Sequence, residues 1–130
     1  MRRYIVSFTF ILISCLSLQV NAQSYPNRVI KLVVPFPPGG LIDNAARLIG
    51  PELSKELGQP VVIENKPGAG GNLAAADVAK ASPDGYTLLM ASAPLSISPA
   101  LYKSLPYNPA SIEPIAVLGQ LPNVLMVNPE

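Results

Sequence analysis

Three short stretches concentrate the chemistry this sequence offers: PFPPGG at residues 35–40, NKPGAGG at 65–71 and ASAPLS at 91–96. Each follows an apolar run and precedes a helix-like one, and none pairs a nucleophile with a base. Glycine lets the backbone come close to a bound molecule, and a helix start just beyond it presents unpaired N–H groups at a positive dipole end. The guest that suits such loops is an anion held by peptide groups, either a carboxylate or a phosphate. The named phosphate codes fail. GAGGNL has Leu73 where G-x-G-x-x-G needs its last glycine, and no loop carries G-K-[ST]. One Gly-rich turn by itself reads more simply as a strand stop or a helix cap. Two at matching positions, both stiffened by proline, favour a ligand cradle.

The remaining polar residues offer little catalysis. Asp43, Glu52, Glu56, Glu64, Asp77 and Asp84 are scattered instead of paired. Asp43 reads as a helix-start residue. Lys66 either touches an anion from the second loop or is an exposed lysine beside a turn. Ser92 and Ser96 offer hydroxyls, Ser92 being better placed at a strand end. With no His and one Cys, a Ser-His-Asp site, a His-ligated metal and a disulfide framework are excluded. Nine Lys plus Arg against eight Asp plus Glu leave no basic tract for nucleic acid. The expectation is a protein that is not an enzyme, with no cofactor and no nucleic-acid partner.

These loops need elements to position them. RVIKLVVPF reads as a strand buried on both faces, and the apolar residues Ile42, Ala45, Ala46, Leu48, Ile49, Leu53 and Leu57 recur at helical spacing, with Gly58 at the stop. Pro51 is expected to kink or split that helix. The unit repeats: PVVIEN is a second strand, NLAAADVAKAS a helix with Asn72 able to cap it, and YTLLMAS a third strand. The order predicts an α/β fold, a mainly parallel sheet flanked by helices. A short helical turn near SPALY follows, then an extended linker, then PIAVLGQ and NVLMVNP as two further strands. No helix follows to cover them, so the architecture reads as truncated.

Residues 1–22 read as a signal peptide: Arg2 and Arg3 precede an apolar run, and VNA offers small residues before a cut at Ala22/Gln23. Acylation at Cys15 is the minority reading, because LSLQV after it stays apolar. Residues 23–130 then form one small exported domain.

Several spaced motifs, YPNRVIKLVVPFPPGG with the following D and AR, LGQPVVIENKPGAGGN, DGYTLL and PALYKSLPYNP, resemble the start of the Bug family. These are the extracytoplasmic substrate-binding proteins of tripartite tricarboxylate transporters. The resemblance covers almost all of residues 25–130. It implies the first lobe of a periplasmic Venus-flytrap protein, a monomer that closes on a small organic carboxylate and delivers it to membrane permease subunits. The family holds the ligand carboxyl group through backbone amides, hydroxyls and water. Carried over by position, the ligand set is Phe36, Pro37, Pro38, Gly39, Gly40 and Asp43, then Gly68, Ala69, Gly70 and Gly71, then Ser92. Ile42 departs from the Thr, Ser or Asn common before that aspartate. Family proteins are well over twice as long, so residues 23–130 are expected to be an incomplete N-terminal lobe that binds weakly alone. The alternatives are a carboxylate-sensing partner of a membrane sensor, a small α/β enzyme acting on an anionic substrate, and a truncated product with no function.

Overall fold

The computed structural model describes residues 24–120 and 124–128. The expected signal peptide and Cys15 lie outside them. Strand β1 (Ile30–Val34) is the middle of a three-stranded sheet ordered β2-β1-β3. Strand β2 (Val61–Asn65) pairs with it in parallel from Ile30 opposite Val61 to Val34 opposite Asn65. Strand β3 (Thr87–Leu89) pairs in parallel on the other side, with Leu32 opposite Leu88. The central position explains why Ile30, Leu32, Val33 and Val34 are all buried. Lys31 is exposed and pairs with Glu64 at 2.8 Å.

Helix α1 (Leu41–Leu57) covers one face of the sheet. Ala46 is buried in the cluster of Leu32, Val34 and Met90, and Ile42, Ala45 and Ile49 pack against it. Ile42 is thus an anchor of this packing, which accounts for its apolar character. Leu48, grouped with that face by spacing, instead points outward and is 76% exposed. Gly58 adopts φ +65° and ends the helix, the left-handed stop its type permits.

Pro51 neither kinks the chain into two helices nor ends it; one 17-residue helix runs through it. The helix is fastened to the sheet on both sides of the proline. Gly50 is buried, and a Cβ there would lie 3.3 Å from Ile63 Cδ1. Ser54 Oγ donates to the Gly50 carbonyl at 3.0 Å and accepts from the Val61 N–H at 2.8 Å. Packing therefore outweighs one lost helical hydrogen bond. Pro51→Ala is expected to raise stability by about 1–2 kcal/mol, the helix-interior penalty of proline less the entropy it removes from the unfolded chain. A denaturant midpoint that falls would contradict this.

Helix α2 (Asn72–Lys80) lies on the sheet's second face through Ala74, Ala75 and Ala76, all buried. Gly71, not Asn72, is its N-cap. Asn72 is the first helical residue; its amide donates to the Ala69 carbonyl at 2.8 Å and its oxygen accepts from Tyr107 Oη at 3.0 Å. Burial pushes the Tyr107 hydroxyl pKa up.

The third strand is shorter than YTLLMAS suggested, although Met90 N–H still donates to the Val33 carbonyl at 2.8 Å. Ser92 then caps helix α3 (Ala93–Leu101), a nine-residue helix where only a turn was expected. Ser98 Oγ donates to the Pro94 carbonyl at 2.8 Å and supports this proline-bearing segment from within.

Neither residues 114–120 nor residues 124–128 form the strands their composition suggested. Ile115, Val117, Val124 and Leu125 are exposed. Strand propensity is realised only where a neighbour supplies ladder hydrogen bonds and an apolar face, and among the described residues no such neighbour lies beside these. Among the described residues no helix is long and apolar enough to cross a membrane.

Candidate functional site

All three predicted loops leave the carboxyl ends of parallel strands, each running into a helix start. Because β1 is central, its loop, residues 35–40, lies between the other two. Contact between the loops is direct: a Cβ on Gly71 would sit 3.2 Å from Pro35 Cβ. Pro35, Gly70, Gly71, Leu89, Ala91, Ser92 and Leu95 line one crevice, so residues from all three loops share it. Its lining contains no charged side chain. Ser92 is half-buried there, and its side chain makes no cap bond to α3.

The second loop owes its shape to a run of left-handed residues. Gly68, Ala69, Gly70 and Gly71 have φ of +135°, +48°, +64° and +95°. Ala69 is the one non-glycine with positive φ among the described residues. The bend is braced by the Gly71 N–H, which donates to the Gly68 carbonyl at 2.9 Å, and by Asn72 holding Ala69. Helix α2 then starts directly at the crevice, with its positive end toward it.

The first loop is held differently. Asp43 is 1% exposed, and three donors converge on its carboxylate. Gly39 N–H and Arg47 Nε both reach Oδ2 at 2.8 Å, and Asn65 Nδ2 reaches Oδ1 at 2.8 Å. Asn65 Nδ2 also donates to the Phe36 carbonyl at 3.0 Å, and its oxygen accepts from Arg47 at 3.2 Å. The hydrogen bond from Arg47, followed by those from Gly39 and Asn65, holds the Asp43 pKa far below the usual carboxylate range. Arg47 is raised by the same contact. Asp43, expected in the ligand set, has its oxygens engaged from within the protein and braces the loop.

Phe36 is half-buried, and Pro38, Gly39 and Gly40 are exposed at the rim. Gly40 caps α1 in an extended conformation. Lys66 is not turned toward the crevice. It pairs with Asp77 and, at 3.2 Å, with Glu64, the Asp77 contact being the main reason its pKa is raised. Ser96 donates to the Ala93 carbonyl at 2.9 Å and is occupied within α3. Asn65 and Arg47 were missed by sequence reasoning. A signal existed for Asn65: it follows Val61 and Ile63 on the inward face of β2, a place where a polar side chain needs partners.

A larger open groove lies at the opposite ends of the strands, lined by Arg28, Lys31, Val62, Asp84 and Tyr86 among others. Its charged groups are paired with each other or with neighbours: Arg28 stacks 4.2 Å over Tyr86 and meets Asp84 at 2.7 Å. No helix start points into it. In open α/β sheets ligands bind beyond the carboxyl ends of the strands, which places the candidate site at the crevice between the loops.

A parallel sheet with helices on both faces and three loops at its carboxyl edge is the lobe architecture of periplasmic binding proteins. The model of the tripartite tricarboxylate transporter family receptor, TctC, matches residues 45–130, and the chain belongs to this family. Protein BugT of Bordetella pertussis is 43% identical over 124 residues, covering 93% of this chain and 38% of that protein. The structure of the periplasmic binding protein BugD aligns with TM-score 0.59 at 43% identity over 65% of this chain and 28% of that one. The R. palustris protein Rpa4515, solved with adipate, aligns with TM-score 0.57 at 41% identity over 66% of this chain and 29% of that one. The chain spans about a third of the length of the curated relatives it matches. Proteins of this family are periplasmic solute-binding proteins, not enzymes.

Proposed function

We propose that residues 23–130 are the N-terminal ligand-binding lobe of a periplasmic protein that captures a small organic carboxylate for a tripartite tricarboxylate transporter. Residues 1–22 are the export signal in this reading, and the membrane permease subunits of the transporter receive the loaded protein. The observation that carries the proposal is the meeting of three strand-to-helix loops at one uncharged crevice. Helix α2 starts there after Gly71, and Ser92 adds a hydroxyl. A carboxylate seated there meets peptide N–H groups, the Ser92 hydroxyl and the dipole ends of α2 and α3. The ligand set in this reading is Phe36, Pro38, Gly39 and Gly40 from the first loop, Gly68, Ala69, Gly70 and Gly71 from the second, and Ser92 from the third. Adipate bound to the related R. palustris protein supports a linear carboxylate as the ligand class.

Each neutral hydrogen bond is worth about 1 kcal/mol net and somewhat more to a charged acceptor, so one lobe alone reaches only weak affinity. The test is a titration of the isotopically labelled chain with adipate, succinate and citrate to about 10 mM, a range suited to millimolar dissociation constants. Amide shifts are expected at Gly39, Gly40, Gly70, Gly71 and Ser92, with little change at Arg28 and Tyr86. Shifts confined to the opposite groove, or none with any of the three acids, would overturn the assignment.

A further inference from the structure

We propose that Asn65 is a positioning residue for the ligand site: from the end of β2, its side chain sets the shape of the first loop, residues 35–40. This rests on the site assignment above and deepens it. The loop has unusually few means of holding itself. Pro35, Pro37 and Pro38 have no N–H to donate, and the Gly39 N–H is spent on Asp43. Its conformation is therefore imposed by side chains from outside.

Asn65 is the side chain placed to do this. It stands in register with Val34, the last residue of β1 before the loop begins. Both of its recorded donations go into the first loop and its helix, to the Phe36 carbonyl at 3.0 Å and to Asp43 Oδ1 at 2.8 Å. Its oxygen accepts from Arg47 on α1 at 3.2 Å. The residue thus belongs in sequence to the second strand and in function to the first loop. Fixing the Phe36 carbonyl orients the peptide entering the Pro37–Pro38 pair. Fixing Asp43 in turn holds the Gly39 N–H, and so sets the rim on which α1 starts. Asn65 is not among the residues that line the crevice, so its effect on a ligand passes through the loop.

The test compares the wild-type chain with Asn65→Leu, an apolar side chain of similar size that suits the inward face of β2. Hydrogen exchange at the Gly39 amide is the readout that a general loss of stability would not single out. The Gly39 amide is expected to exchange about tenfold faster in the variant, while the Leu32 amide in β1 changes less than about twofold. Adipate affinity at the crevice is expected to weaken about tenfold, because a loosened loop no longer presents its groups together. Asn65→Asp serves as the second variant should the first not fold: it keeps the acceptor for Arg47, removes both donations and has the same expected outcomes. Equal acceleration at Gly39 and Leu32, or an unchanged Gly39, overturns the proposal. A loosened loop with unchanged affinity overturns its role in binding. Should the wild type bind none of the three acids, the function proposed above fails, and the exchange comparison still decides whether Asn65 holds the loop.

Discussion

Gly71→Ala is expected to lower Tm by about 10–15 °C, at roughly 4–8 °C per kcal/mol for a domain near this size. Two costs add at this position. A Cβ must adopt φ +95°, in the left-handed region that costs an L-residue about 1–2 kcal/mol. It must also press on Pro35 Cβ at 3.2 Å, and Pro35 is buried at the start of the first loop with little room to retreat. Overpacking of this kind costs about 1 kcal/mol or more. The neighbouring Gly70→Ala separates the two effects. It carries φ +64°, yet its Cβ would meet only Tyr102 Oη at 3.7 Å, an ordinary contact. Its Tm should fall by about half as much. Equal losses in the two variants would mean that Pro35 yields to the added Cβ and that the close approach of the two loops imposes no packing cost.

The second large effect is expected at Asp43. Asp43→Asn is nearly isosteric, but it turns one acceptor oxygen into an amide that can only donate. The groups around it, Gly39 N–H, Arg47 Nε and Asn65 Nδ2, are all donors, so one of them loses its partner in a buried place. A fall in Tm of about 10 °C at neutral pH is expected for such a loss. The sign of its pH dependence follows from the folded-state pKa, which is depressed chiefly by the hydrogen bond from Arg47. A group with a lowered folded pKa contributes stability above its unfolded pKa, near 3.9 for Asp, and that contribution disappears as pH falls toward the folded value. The difference in Tm between wild type and variant should therefore be constant from about pH 5 upward and shrink between about pH 4 and pH 2. A difference that stays the same down to pH 2 would show that the carboxylate charge is not what the network uses.

Asp43 acts on the first loop from beneath, whereas Gly39 and Gly40 are exposed. The site therefore has two layers. In the proposed function an uncharged rim of peptide groups and a hydroxyl meets the ligand, and a polar layer of Asp43, Arg47 and Asn65 lies beneath the first loop. Positive charge is present near the first loop without standing in the crevice, since Arg47 is engaged by Asp43. Under the proposed function this arrangement suits ligand release, because a carboxylate held by neutral donors is bound less tightly than one in a buried ion pair.

Much of this was already determined by the sequence. The Val and Ile runs, the helical recurrence of Ile42, Ala46 and Ile49, and glycines at the turns dictate β-loop-α units, and their repetition dictates a parallel sheet with its loops at one edge. These are local properties, set by side-chain period and by which residues tolerate left-handed backbone. What depended on neighbours distant in the chain was decided only by the tertiary structure. Pro51 stays inside one helix because Gly50 and Ser54 hold that helix to β2. Asn72 left the cap because Ala69 and Tyr107 offered it buried partners. Residues 114–120 and 124–128 have strand composition but no strand, because hydrogen bonds in a sheet need a second chain segment that composition cannot supply. The bracing of the first loop by Asp43 was decided in the same way. Its three donors come from residues 39, 47 and 65, and only folding brings the last of these to it.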